Sequence, residues 1–497
     1  MLPKSGYSLL GGGNEGWSAS MRNFLGFIST RVFRGRARLI IGLIILVNII
    51  CLGLVPDRLS TVVFGSDFDG LLRWRGSTSG HGSGGDGLRI VAFGSADFAM
   101  GHERRNSGSS KSWTEYLCDE LRCSSYLSFV PQVDSRTPDP SMISNSLYKE
   151  ALDNLLAQEF TADTPGFNYT YLRDEYPVPS HPDLAAQVSS FLNSRRPQDP
   201  PKETLWVFNF GFWDTWSLAA LPREAAETII DYMVLGMFDQ IELLYRSSLS
   251  DTSVAFSDFW GYSSPEVIDK LENNRLGKSR AETEIFRVLI PETLDVSITP
   301  GWHSQRPKPP SPHSLAVHVT NAAYLTERWN AAVRAHVKEW EKLPHPNFDD
   351  VPSNGRAEAR HKKRADVPAE EPLYAPFPDR SALVFNSPEF VLEAIIEKQM
   401  HDTGLVDSTG RGKRPPTDPI HFTEVWRPCS EGDDNGDEAS GGWKKPCATP
   451  DEYLFQTPFS ISDKGIREVA RRAGEQAKET LYLGDAKEYP AEQTLQA

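Results

Sequence analysis

Between residues 88 and 386, short runs rich in β-branched and aromatic residues alternate with longer stretches whose apolar residues recur every three or four positions. A short apolar run suits a strand, and the longer spacing suits a helix with one face in a core. Regular alternation of the two predicts a parallel sheet covered by helices on both faces. The strand-like runs lie at 88–94, 126–130, 205–210, 253–256, 286–290 and 382–386. Helices are expected at 113–121, 183–192 and 223–246, and through the stretch containing Leu325, Trp329, Val333, Val337 and Trp340. A last helix is expected after Ser462, with Ile466, Val469, Ala470 and Ala473 on one face. Reactive groups in such folds gather at the carboxyl ends of strands. That places Ser95 and Asp97, and then Trp213 and Asp214, at the positions of interest.

One apolar run stands apart from this pattern. Residues 39–55 carry no charge and only Asn48 interrupts them, which is close to the shortest stretch that crosses a bilayer. Arg31, Arg34, Arg36 and Arg38 crowd its amino side, as expected for a cytosolic flank. The reading is a single-pass type II signal anchor, with a buried core helix as the alternative. It makes 1–38 a cytosolic basic tail, 56–87 a flexible Gly/Ser-rich stem, and the rest lumenal or extracellular. A globular domain then occupies 88–480, with polar insertions at about 346–372 and 428–451 and a tail at 481–497. Lys362-Lys363-Arg364 in the first insertion could be cut by a lumenal protease or could be a solvated charge run.

Cysteine usage agrees with an oxidising compartment. Besides Cys51 there are Cys118, Cys123, Cys429 and Cys447, an even set that reads as two disulfides although three pairings are possible. Their spacing matches no zinc site, and neither a metal nor a cofactor is expected. Asn168-Tyr169-Thr170 is an N-glycosylation sequon. The formal charge of -15 leaves no broad basic surface, which argues against nucleic acid as a partner.

Near the carboxyl end the chain reads Asp418-Pro419-Ile420-His421. An Asp three residues before a His can hold the imidazole Nδ1–H and leave Nε2 to deprotonate a hydroxyl. Together with the 88–94 strand ending in Gly94-Ser95, the 205–214 stretch ending in Gly211-Phe212-Trp213-Asp214, and the 382–386 strand, this order resembles the SGNH/GDSL hydrolase superfamily. The resemblance implies an α/β fold of three layers, α/β/α, with a mainly parallel, flavodoxin-like sheet. It implies Ser95 as nucleophile, His421 as base and Asp418 as the group that orients it, with Gly166 as an oxyanion donor. Trp213 and Asp214 would border the substrate cleft, with Trp216, Trp260 and Tyr262 as further lining or as core, and Asp97 and Asp214 as helix caps in the plainer reading. The substrate would be a carbohydrate or lipid ester, with water as acceptor in an esterase and a sugar hydroxyl in a polysaccharide O-acetyltransferase. The family's Gly-Asp-Ser reads Gly94-Ser95-Ala96-Asp97 here, and Trp213 takes the place of an Asn that helps bind the oxyanion. A scaffold that keeps the fold without the chemistry is therefore an equal expectation. The resemblance also places Cys118 with Cys123 and Cys429 with Cys447, each pair within one connection.

Overall fold

Strand β1 (Leu88–Gly94) is buried after its first residue, as a central parallel strand must be when helices cover both faces. The computed structural model describes residues 87–99, 103–104, 108–109, 111–131, 137–138, 140–157, 166, 168–273, 275–276, 282–346, 375–405, 421–429 and 449–483. All of them belong to one compact unit. The expected membrane span, the cytosolic tail, nearly all of the stem and of the C-terminal tail, Asp418, Cys447 and most of the two insertions lie outside these residues. Among the described residues no helix is long and apolar enough to cross a membrane.

After β1 come the short antiparallel pair β2 (Glu103–Arg104) and β3 (Gly108–Ser109), helix α1 (Trp113–Glu120) and β4 (Ser125–Ser128). Ser112 starts α1 through a capping box with Glu115. Helices α2 (Asn145–Leu156), α3 (Leu172–Glu175) and α4 (Leu184–Leu192) lead to β5 (Glu203–Asn209). Asp183 caps α4 through the Ala186 amide. Beyond β5 lie α5 (Phe212–Leu218), α6 (Arg223–Ser248), α7 (Pro265–Glu272), β6 (Ile285–Pro291), α8 (Pro300–Gln305) and α9 (Leu315–Trp340). The chain continues through β7 (Asp379–Phe385), α10 (Pro388–Thr403), β8 (Glu424–Pro428), β9 (Tyr453–Phe455) and α11 (Asp463–Thr480). That makes eleven helices among the described residues. Ser462 occupies the cap position of α11, yet its hydroxyl makes no cap bond.

Five strands form one parallel sheet in the order β4-β1-β5-β6-β7. The chain steps outward from β1 to β4, then returns to add β5 on the other side. This reversal puts a crevice at the carboxyl ends of β1 and β5, the place where open α/β sheets bind ligands. One sheet face carries Phe93 and Trp206, packed on Phe191 of α4, and Phe286, packed on Tyr245 of α6 and Trp340 of α9. On the other face Phe385 meets Trp113 of α1.

Residues 253–256 do not form a strand, contrary to the sequence expectation. They make a loop at the amino end of the sheet whose carbonyls are taken by a side chain. Arg89 donates to Val254 O at 2.9 Å, to Ala255 O at 3.3 Å and to Phe256 O at 3.4 Å, and its Nε donates to Thr204 Oγ1. Two more buried arginines serve the same edge. Arg287 donates to Leu481 O at 2.7 Å and pairs with Glu203 at 2.9 Å. Arg380 pairs with Glu242, donates to Leu343 O and stacks 3.9 Å from the Tyr245 ring centroid. Each guanidinium donates to main-chain carbonyls at this end of the sheet, which its several N–H groups suit. A cavity of about 20 Å³, room for about one water, lies at this end among Lys202, Glu203, Ser257, Glu284 and Arg287.

Candidate functional site

The crevice at the ends of β1 and β5 is built for close backbone contact. A Cβ on Gly94 would sit 2.4 Å from Asn209 O, so only glycine lets the strands converge there. Gln187 of α4 brackets Gly94, accepting from its N–H and donating to its carbonyl, both at 2.9 Å. One residue on, the Ser95 amide donates to Asn209 O at 2.9 Å, and the Asn209 amide group donates back to Ser95 O at 3.2 Å. The Ser95 side chain is fully buried, and its hydroxyl also donates to Asn209 O, at 3.4 Å.

Two buried carboxyl groups follow the same strand ends, Asp97 just after β1 and Asp214 in the first turn of α5. Asp214 is fully buried and accepts from Gly211 N and Ile143 N, each at 3.0 Å, so it closes the start of α5 and ties it to the segment before α2. Asp97 accepts from Ala99 N at 3.0 Å, which shapes a turn rather than a helix start. Burial pushes each of them up to about 6, against the backbone hydrogen bonds that favour the ionised form. Gly211 has φ +108°, and a Cβ there would meet Trp329 at 2.6 Å, so the bend that aims α5 also depends on glycine.

Aromatic rings fill the crevice. Trp213 is buried and its indole N–H donates to Ala96 O. Phe459 lies 5.0 Å from Trp213 and 5.4 Å from Trp216, and Trp216 lies 5.4 Å from Trp302 (ring centroids). The segment carrying Phe459 is pinned by Gly301 N to Pro458 O at 2.8 Å and by Ile461 N to Phe98 O at 2.7 Å. Trp260, by contrast, packs with Phe259 in a separate small cluster and donates to Glu284 at 3.0 Å.

His421 lies next to α10. Its Nδ1 is 2.9 Å from Glu397 Oε2, and its backbone N–H donates to the same oxygen at 3.0 Å. With the carboxylate accepting, Nδ1 is the donor of this pair. Lys464, at the start of α11, donates to His421 O at 2.7 Å. Among the described residues no hydrogen bond joins His421 to Ser95. Gly166 is exposed, with nothing within 4 Å of where a Cβ would sit. Asn168 forms an Asx turn in which Thr170 N and Oγ1 both donate to its Oδ1. Cys118 and Cys123 are disulfide-bonded with Cα atoms 5.0 Å apart, joining the end of α1 to the approach to β4. Cys429 is buried at the end of β8. No group of three or more His, Cys, Asp or Glu able to hold a metal ion occurs among the described residues.

Sequence reasoning missed Glu397, which stands 24 positions from the His it holds, and Arg306, which follows α8 in a proline-rich stretch with no motif. The fold and crevice define an α/β protein whose five-stranded parallel sheet has its switch point closed by aromatic side chains. No protein-family model and no curated protein sequence matches this chain.

Proposed function

We propose that this chain is a membrane-anchored lumenal binding domain, built on an SGNH-like three-layer α/β/α scaffold that does not perform ester chemistry. The observation that carries this reading is the state of Ser95. A nucleophile must bring its oxygen to within about 3–3.5 Å of the reacting carbonyl. Ser95 is fully buried and its hydroxyl is directed at a backbone carbonyl, while Trp213, packed on Phe459, bonds the backbone one residue further on at Ala96 O. A fluorophosphonate probe, with acetyl-ester turnover measured alongside, tests it: no serine adduct and no turnover are expected.

A second reading is favoured by His421, whose Nδ1 is held by a carboxylate while Nε2 is left to act. In that reading the chain is an acyl hydrolase of carbohydrate or lipid esters, or an O-acetyltransferase if a sugar hydroxyl replaces water. Ser95 attacks, His421 takes its proton, and Glu397 or Asp418 orients the ring. Ser95→Ala and His421→Ala would then each abolish turnover, since nucleophile and base act as one unit. Glu397→Gln separates the two carboxylates, because it impairs turnover only if Glu397 is the orienting group.

The membrane anchor rests on residues 39–55 and the arginines before them. Protease added to intact microsomes should spare everything beyond Val55, and digestion without detergent would reverse the orientation.

A further inference from the structure

Arg306 is 6% exposed, and no carboxylate among the described residues pairs with it. Its guanidinium carbon lies 4.2 Å from the ring centroid of Trp302, 4.6 Å from Tyr176 and 4.7 Å from Trp216. One terminal nitrogen donates to Trp216 O and the other approaches His318 Nδ1 at 3.4 Å, whereas Nε makes no hydrogen bond. The hydroxyls of Tyr171 and Tyr176, which interact electrostatically with this cation, are also buried and make none. Three buried donors without acceptors around one uncompensated charge are costly for a fold to keep.

The cage adjoins the crevice. Trp216, which walls it, lies 5.8 Å from Trp213, and Trp213 donates to the backbone just past β1. It therefore lies beside the switch point of the sheet, where α/β folds bind ligands. Burial lowers Arg306 to about 10, so it stays a cation at neutral pH. Burial, then Arg306, then His313, lowers His318 to about 3, so His318 is neutral and adds no charge. His313 packs 4.6 Å from Tyr169 and 5.4 Å from Tyr171, all three half-buried, and its Nε2 bonds Asn168 O at 2.9 Å. One buried cation is neutralised by a single negative charge, and a dianion would leave excess charge in the same surroundings.

We propose that this cage recognises a carboxylate-bearing small molecule, the carboxylate accepting from Arg306 Nε–H and the Tyr171 and Tyr176 hydroxyls. The remainder of the ligand runs out past the half-buried rings of Tyr169 and His313. This deepens the binding-domain reading and rests on it for its biological sense.

Acetate is the minimal probe. The full-length chain in detergent is melted in sodium acetate, sodium chloride and sodium phosphate at equal ionic strength. Acetate should raise Tm above chloride in a saturable way, as a ligand of the native state does, and phosphate should raise it less. Tyr171→Phe and Tyr176→Phe remove only an unpaired hydroxyl, so in chloride they should melt no lower than wild type. In acetate each should weaken the apparent affinity roughly tenfold, and Arg306→Lys should remove the response. Equal melting of wild type in acetate and chloride, or an acetate gain retained in both tyrosine variants, would overturn the site. A phosphate gain matching acetate would overturn the carboxylate assignment. Fluorophosphonate labelling of the same sample separates the two proposals. A serine adduct sinks the non-catalytic reading without touching the cage, and a missing acetate response sinks the cage alone.

Discussion

The Ser95 hydroxyl donates to the main-chain carbonyl of Asn209 across 3.4 Å, joining the carboxyl ends of β1 and β5 at the one place in the sheet where chemistry is expected. The polar groups beside it hold the backbone at and just beyond the two strand ends. The amides of Ser95 and Asn209 exchange bonds, Gln187 holds Gly94, and Asp214 fixes the start of α5. Ser95, Asn209 and Gln187 thus form a clasp across the two strand ends.

Trp213 closes that clasp. Its ring is buried against Phe212, Trp216 and Phe459, and its N–H satisfies Ala96 O. Trp213→Ala should therefore cost about 4 kcal/mol, the range for a large aromatic lost from a core, read as a lowered urea midpoint. A cost under about 1 kcal/mol would mean that the crevice is not packed as described.

Asp97 makes stability depend on pH in an unusual direction. Burial raises its pKa from 3.8 to about 6 in the folded chain. Below the unfolded value both states hold the proton and the stabilisation is fully present; it is lost as pH rises through 6. Between pH 5 and 7 the wild type should lose about 1 kcal/mol relative to Asp97→Asn, which keeps an oxygen for Ala99 N and does not titrate. Urea unfolding of the two proteins at both pH values checks this, and parallel curves would show that Asp97 titrates normally.

Arg89 supports the opposite end of the sheet. Burial lowers its pKa to about 9, and its fork reaches Thr204 and three loop carbonyls. A lysine keeps the charge but cannot span those acceptors. Arg89→Lys should destabilise by about 3 kcal/mol, given the strength of hydrogen bonds to a charged group. It should also raise amide exchange in the 253–256 loop, and unchanged exchange there would show that the carbonyls do not depend on it.

Much of the sheet was legible because a parallel strand buried on both faces leaves a dense apolar run, as in β1, β5 and β6. The same signal misled at 253–256, where a short apolar run serves a loop whose carbonyls find a donor on β1. Helix α10 was obscured because Leu392 and Ile396 are exposed on its outer side, which blurs the period. Helix α2 does carry a regular stripe, with Tyr148, Leu152 and Leu155 on one face. At the site, Ser95, Asp97, Trp213, Asp214 and His421 could be singled out from local patterns. Neither the carboxylate from α10 that holds His421 nor the rings that gather around Arg306 could be seen, since both come from distant segments.

Mass spectrometry of the full-length chain after treatment with a fluorophosphonate reads directly whether the Ser95 oxygen can react. A clasp serine, buried and bonded to Asn209 O, should carry no adduct after prolonged exposure, with no acetyl-ester turnover in the same preparation. An adduct on Ser95 that disappears in Ser95→Ala, accompanied by turnover that His421→Ala abolishes, would overturn the non-catalytic reading and establish the hydrolase.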